Sequence, residues 1–323
     1  MLQELFRIPG LNIPVYGYGL MMVVAFLAGL ELAKFLSRHS GLNPEWFVNA
    51  ALIALVTGVL GARLSHVIEN WEQYTNPGRS FGANLFDAIN LTTGGLTFYG
   101  GFLVAAVALV GYALWQRIPL RLGMDIIAPC LMIGLGFGRI GCLLNGCCYG
   151  AQCNLPAPLS ISFPYGSIPY QDQFHQGYVV PDRELVKELP DGRIVLLSPA
   201  ELAHDHDLDV LADAQRSLPV HPAQIYSTIT AWLLAGLLLA YFTLPHVPGR
   251  VFALMLMLEG ISRFVLELLR TEPPVAHAFD HGLSLSMIIG LCLSALGVVL
   301  WFVFSKAPHT PHEAHGFPVH APA

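Results

Sequence analysis

Hydrophobic positions in this chain gather into long runs. The runs extend approximately from Tyr16 to Phe35, Trp46 to Val67, Gly95 to Trp115, Leu122 to Leu144, Gln224 to Leu244, Val251 to Leu269 and Leu283 to Phe304. Each approaches the ~20 apolar residues that a helix needs to cross the hydrocarbon of a bilayer. The pattern predicts an all-α polytopic membrane protein with about seven transmembrane helices, four of them in residues 1–144 and three in 224–305. A polar insertion, 145–223, separates the two sets, and a tail, 306–323, follows. Inside the insertion, Glu184 to Leu189 and Arg193 to Leu197 flank Pro190-Asp191-Gly192, which predicts a hairpin around an Asp-Gly turn. In the tail, His309, His312, His315 and His320 stand among prolines with little hydrophobicity, so it is expected to be disordered and carries no assigned chemistry. The helices show no internal repeat, which argues against an inverted-repeat carrier.

Composition agrees with a bilayer environment. The chain is 54% hydrophobic and 12% charged, well below the ~25% charged residues of soluble domains. Its net charge of −6 is concentrated in the insertion and points to no nucleic-acid partner. Arg38, Arg117, Arg121, Arg250 and Lys306 follow the first, third, fifth and seventh runs, whereas the opposite loops, the long insertion apart, are poorer, with Arg7, Arg79 and none from Thr271 to Gly282. By the positive-inside rule the N-terminus and the insertion lie outside, and the C-terminus lies in the cytoplasm. The start, MLQELFRIPGLNIP, has an acidic residue, two prolines and no clean small-residue cleavage site, so the first run reads as a retained helix and not a signal peptide.

Polar residues inside these apolar runs are the candidate chemistry. The fourth run ends GLGFGRIGCLLNGCCYG, residues 134–150, and a cation within a span costs several kcal/mol unless it faces a cavity, a partner or an anion. Arg139 is therefore a candidate anion ligand, with snorkelling or a carboxylate partner as the structural alternative. In the sixth run Glu259, Arg263 and Glu267 recur every four residues on one face, with Arg270 behind them. They form either a neutralised structural ladder or one wall of a phosphate-binding cavity, for which the planar guanidinium fork is suited. Tyr18, Gly61-Ala62-Arg63 with His66, Tyr99-Gly100-Gly101 and His221-Pro222 add polar groups near the outer ends of four more runs. The stretch from His204 to Asp209 reads as an exposed acidic loop, not a metal site.

Cysteines divide by place. Cys130 and Cys292 fall within apolar runs and read as packing residues, whereas Cys142, Cys147, Cys148 and Cys153 gather at the outer boundary. A disulfide among the four leads, since an oxidising space permits it. A zinc site that includes His66 or His221 comes next, and a catalytic thiolate or simple packing remains open.

The run Gly138-Arg139-Ile140-Gly141-Cys142-Leu143-Leu144-Asn145-Gly146-Cys147-Cys148-Tyr149-Gly150 resembles the signature of the prolipoprotein diacylglyceryl transferases. The resemblance extends in order through Tyr18-Gly19-Leu20, Gly61-Ala62-Arg63, Tyr99-Gly100-Gly101, His221-Pro222-Ala223-Gln224-Ile225-Tyr226 and Arg263-Phe264-Val265-Leu266-Glu267. It implies a seven-helix inner-membrane enzyme that moves a diacylglyceryl group from phosphatidylglycerol to the lipobox cysteine of a preprolipoprotein signal peptide, with no cofactor. On that reading Arg139, Arg263, Glu259, Tyr99 and Glu267 serve catalysis, while Tyr18, Arg63, Gly100, Gly101, Asn145, Gly150 and His221 bind substrate. The chain departs from the family where Tyr99 replaces a usual histidine, Cys142 an asparagine, Cys147 a glutamate, Glu259 a tyrosine and Ser227 a glutamate. Glu259 then becomes the first candidate base, with His66 and Tyr99 behind it. The competing expectations are a divergent relative acting on another anionic lipid or thiol, and a non-enzymatic membrane carrier.

Overall fold

The computed structural model describes residues 4–7, 14–75, 80–90, 95, 97–190, 192–202, 204–270, 276–278 and 281–305. The tail histidines, Arg79 and Lys306 lie outside the described residues.

Every apolar run forms a helix: α1 Gly17–His39, α2 Pro44–Glu69, α3 Phe98–Trp115, α4 Leu120–Asn145, α5 Ala223–Phe242, α6 Arg250–Glu267 and α7 Leu285–Ser305. Boundary chemistry follows local rules. Asn43 caps α2 by accepting the Glu45 N–H at 3.0 Å, and Pro44 fills the first helical turn, where no N–H is needed. Five helices, α1, α2, α4, α5 and α7, are by themselves long and apolar enough to cross a membrane. Of the other two, α3 is shorter, and α6 carries Arg250, Glu259, Arg263 and Glu267 within 18 residues. The protein is an all-α polytopic membrane protein with small two-stranded sheets among the described residues.

The chain divides into two compact units. One contains Met1–Gly29, Ala128–Thr243 and Arg250–Pro308, and the other Leu30–Ile127, Leu244–Gly249 and the tail.

In the second unit α2 packs closely on α3. A Cβ on Gly100 would stand 2.1 Å from Ser65 Cβ, and one on Gly101 2.7 Å from the Gly58 carbonyl, so only glycine allows these backbones to meet. Asp125 is fully buried here and accepts the Gly249 N–H at 2.6 Å, with His246 Nε2 at 3.5 Å. That ties α4 to the turn after α5.

In the first unit α6 and α7 cross at Gly260 and Gly290, where a Cβ on Gly260 would lie 2.4 Å from the Gly290 carbonyl. Ser294 Oγ donates to Met257 O at 2.9 Å beside that crossing. Thr228 Oγ1 and Trp232 Nε1 of α5 donate to Gly136 O and Ile133 O of α4, both at 3.4 Å. The insertion has its own small core of Leu185, Leu202 and Ala212, with Tyr165 and Leu197 packed against it. Its hairpin is present, with Val186 opposite Leu196 and Glu188 opposite Ile194, and Gly192 takes the positive φ of +80° that the turn requires. The acidic stretch differs from the loop read in the sequence. His206–Ala214 is a short helix, because Asp205 accepts the Asp207 N–H at 3.0 Å and Asp207 and Asp209 occupy its positive first turn.

Candidate active site

The end of α4 shapes the site. Gly146 takes φ +79°, the Gly146 N–H bonds Leu143 O at 3.2 Å, and the Cys147 N–H bonds Cys142 O at 3.1 Å. These two bonds make a Schellman motif, which satisfies the last carbonyls of the helix and folds the chain back over it. Cys148 then adopts φ +59°, a left-handed backbone that costs a non-glycine residue about 1–2 kcal/mol. Reversal and strain together bring the sulfurs of Cys142, Cys147 and Cys148 within 4.8 Å of one another. Buried Gln224, at the start of α5, donates to Cys147 O at 2.8 Å and fixes the turn from the other side.

The sequence offered a disulfide among these cysteines; the structure holds them as free thiols. The turn gathers three sulfurs as a group, and Cys153 belongs to another segment, its N–H bonded to Pro219 O at 3.0 Å. Just beyond the helix end, the Cys148 thiol titrates below its usual range. Thiol hydrogen bonds from Cys142 and Cys147 favour its anion most, and the charges of Arg139 and Arg270 favour it further.

Cys148 also lines a polar cleft. Its walls include Arg139 from α4, Ala223 and Ser227 from α5, Glu259, Arg263, Leu266 and Glu267 from α6, Arg270 beyond it, and Ser286 from α7. Arg263 Nε donates to Ser286 Oγ at 3.0 Å, which leaves the rest of its fork to other partners. Glu267 is 4% exposed and pairs with Arg270 at 3.3 Å through one oxygen, while its Oε1 is buried with no hydrogen-bond partner among the described residues. Three guanidinium groups, two carboxylates and a thiol thus share one concavity. Such a set can neutralise an oxyanion and receive a proton.

A family model described as prolipoprotein diacylglyceryl transferase matches residues 3–303. The chain belongs to that family. A Clostridium tetani phosphatidylglycerol–prolipoprotein diacylglyceryl transferase is 28% identical over 306 residues, 94% of this chain and 97% of that protein. One from Corynebacterium glutamicum (strain ATCC 13032) is 25% identical over 93% of this chain and 83% of its own length. A third, from Rhodopirellula baltica, is 36% identical over 167 residues, which are 51% of this chain and only 33% of that longer protein.

Among the residues expected from transferase-family resemblance, Arg139, Arg263, Glu259 and Glu267 meet in the cleft. Tyr18 packs on the Gly141 face of α4, where a Cβ on Gly141 would lie 3.1 Å from Tyr18 Cδ2. Asn145 ends α4 immediately before the Schellman turn. Gly150 lies in a junction of three strands of chain: its N–H bonds His221 O at 2.9 Å, the His221 N–H bonds Ala151 O at 2.9 Å, and the Ala151 N–H bonds Leu269 O at 2.7 Å. A Cβ on Gly150 would be 2.7 Å from His221 Cβ. The His221 backbone is held there, and its Nδ1 is buried with no hydrogen-bond partner among the described residues.

The remaining expected residues belong to the second unit. Arg63 is 5% exposed and donates to three carbonyls, Ala88 O at 2.8 Å, Gly95 O at 3.0 Å and Asp87 O at 2.6 Å, with Tyr74 stacked under it. Those bonds clamp the short helix Phe81–Ile89 and the approach to α3 onto α2. Gly100 and Gly101 are occupied by the α2 crossing, and Tyr99 is exposed at the start of α3. The sequence reading missed Ser286 as the Arg263 partner and Gln224 as the support of the cysteine turn. Ser284-Leu285-Ser286, polar at the head of an apolar run, was the available signal for the first.

Proposed function

We propose that the chain transfers the diacylglyceryl group of phosphatidylglycerol to the lipobox cysteine thiol of a preprolipoprotein signal peptide, at the outer face of the bacterial cytoplasmic membrane. The observation that carries this reading is the cleft in which Arg139 and Arg263 stand with Glu259 and Glu267, in a member of a family whose curated relatives bear that activity in their names. The reacting bonds follow from the substrates. The acceptor sulfur forms a bond to the glyceryl carbon, the bond from that carbon to the phosphate oxygen breaks, and glycerol phosphate departs with the electron pair. Arg139 and Arg263 neutralise the departing phosphate, and Glu259 takes the thiol proton. The N-terminus and the insertion, residues 145–223, lie outside, and the tail lies in the cytoplasm, which gives signal peptide and lipid a common face.

Expression in a transferase-depleted bacterium tests the activity: the membrane-inserted protein should restore lipoprotein modification, and failure at normal expression would overturn the reading. Glu259→Gln should abolish transfer from phosphatidylglycerol vesicles to a lipobox peptide while leaving lipid binding largely intact. Near-normal turnover of this variant would remove Glu259 from the role of base.

A further inference from the structure

We propose that Cys142, Cys147 and Cys148 hold one thiophilic d10 metal ion, Zn²⁺ or Cu⁺, at the edge of the cleft, with a coordination position left open for an acceptor thiol. The geometry already approaches what such an ion needs. Three sulfurs at ~2.3 Å from a central ion stand roughly 4 Å apart, and here all three lie within 4.8 Å of one another. Small rotations of the side chains close that gap. The spacing Cys-x4-Cys-Cys is unusual for a metal site because the ligands come from a helix end and the turn beyond it. The Schellman motif, the left-handed Cys148 and the Gln224 bond to Cys147 O hold that turn before any ion arrives.

Charge and polarity favour the same assignment. Three thiolates with a monovalent or divalent cation leave net negative charge, and Arg139 and Arg270 line the same cleft as Cys148. The C-terminal end of α4 is the negative end of its dipole and favours a cation there. Packing alone accounts poorly for the cluster, since all three cysteines are only half-buried and Cys148 opens onto charged groups. Thiolate ligands select Zn²⁺ and Cu⁺ over hard cations.

The open position gives the site a use that rests on the transferase reading. An acceptor thiol that binds there loses its S–H bond, its sulfur forms a bond to the metal, and its proton passes to Glu259 in the same cleft. A metal that lowers the pKa of the acceptor thiol would supply its activation.

The test uses full-length protein in detergent, purified with and without reductant and loaded separately with Zn²⁺ and with Cu⁺. Elemental analysis after a competing chelator should find about one equivalent of one of the two ions. Affinity should fall at least ~10-fold in Cys142→Ser, Cys147→Ser and Cys148→Ser and stay unchanged in Cys153→Ser and Cys292→Ser. Loading with Co²⁺ gives an independent readout, a thiolate-to-metal charge-transfer band that weakens with each cysteine removed even where a variant is less stable. Substoichiometric metal in the wild type, retention by the triple serine variant, or an intact mass that reveals a disulfide in reductant-free material would each overturn the site. A lipobox peptide should change the Co²⁺ band and its Cys→Ser version should not. A filled site that is blind to the peptide thiol overturns the open position alone, and complementation reports on the transferase reading separately.

Discussion

Arg263 is held by a serine on the neighbouring helix, Ser286, whose Oγ accepts its Nε–H at 3.0 Å. A lysine there keeps the charge and loses both that bond and the planar fork. Arg263→Lys should therefore lower turnover of phosphatidylglycerol by ~10²-fold or more, measured under single-turnover conditions with saturating peptide. A change below threefold would show that charge alone suffices. Arg139 and Arg263 were legible in the sequence because a cation in an apolar run is conspicuous. Ser286 was not, since a hydroxyl is cheap to place in a helix and the partner on another helix is a matter of three-dimensional packing. Arg63 differs: its sequence context resembles that of a ligand-binding arginine, and in the fold its guanidinium donates to three backbone carbonyls.

Among the elements, the glycines carry the same lesson. Tyr99-Gly100-Gly101 reads as a place for substrate to approach a backbone, and the backbone that approaches is α2, at Ser65 and Gly58. Gly100→Val should overpack that crossing and cost about 1–3 kcal/mol. Thermal unfolding of the detergent-solubilised protein checks this, with reduced stability preceding any specific loss of lipid affinity. The insertion hairpin offers a titration. Hydrogen bonds from Lys187 and from Ser198 hold the Glu201 carboxyl down from 4.5 to about 2. Because the folded value is the lower one, this support is complete above the ordinary carboxyl range and disappears as pH falls through about 2. Amide exchange over Val186–Glu188, corrected for intrinsic rates, should loosen progressively across that window, and Glu201→Gln should flatten the profile. The seven helices and the hairpin were readable from hydropathy and from the Asp-Gly turn. The helix at His206 was hidden because its capping aspartate also fits a loop.

At the scale of the whole molecule, the proposed orientation, which rests on the positive-inside rule, puts the insertion outside. Asp209 is exposed on the insertion's acidic helix. In a chain whose native cysteines have been blocked, a cysteine placed there should react with a membrane-impermeant maleimide in intact spheroplasts. Labelling only after the membrane is broken would reverse the orientation. Sequence alone supplied the orientation rule. It could not supply the convergence of α4, α5, α6 and α7 around the cleft, whose walls come from segments as far apart in the chain as Cys148 and Ser286.

The junction at Gly150, Ala151, His221 and Leu269 bears on how this protein can change over time. The insertion departs and returns through this stitched junction, so residues beyond it can lengthen, shrink or be replaced while the groups in the cleft stay in register. Doubling the length of such a closed loop adds only ~0.6 kcal/mol of entropy cost. Novelty can therefore accumulate on this appendage, and a foreign module grafted within it would leave the chemistry of the cleft undisturbed.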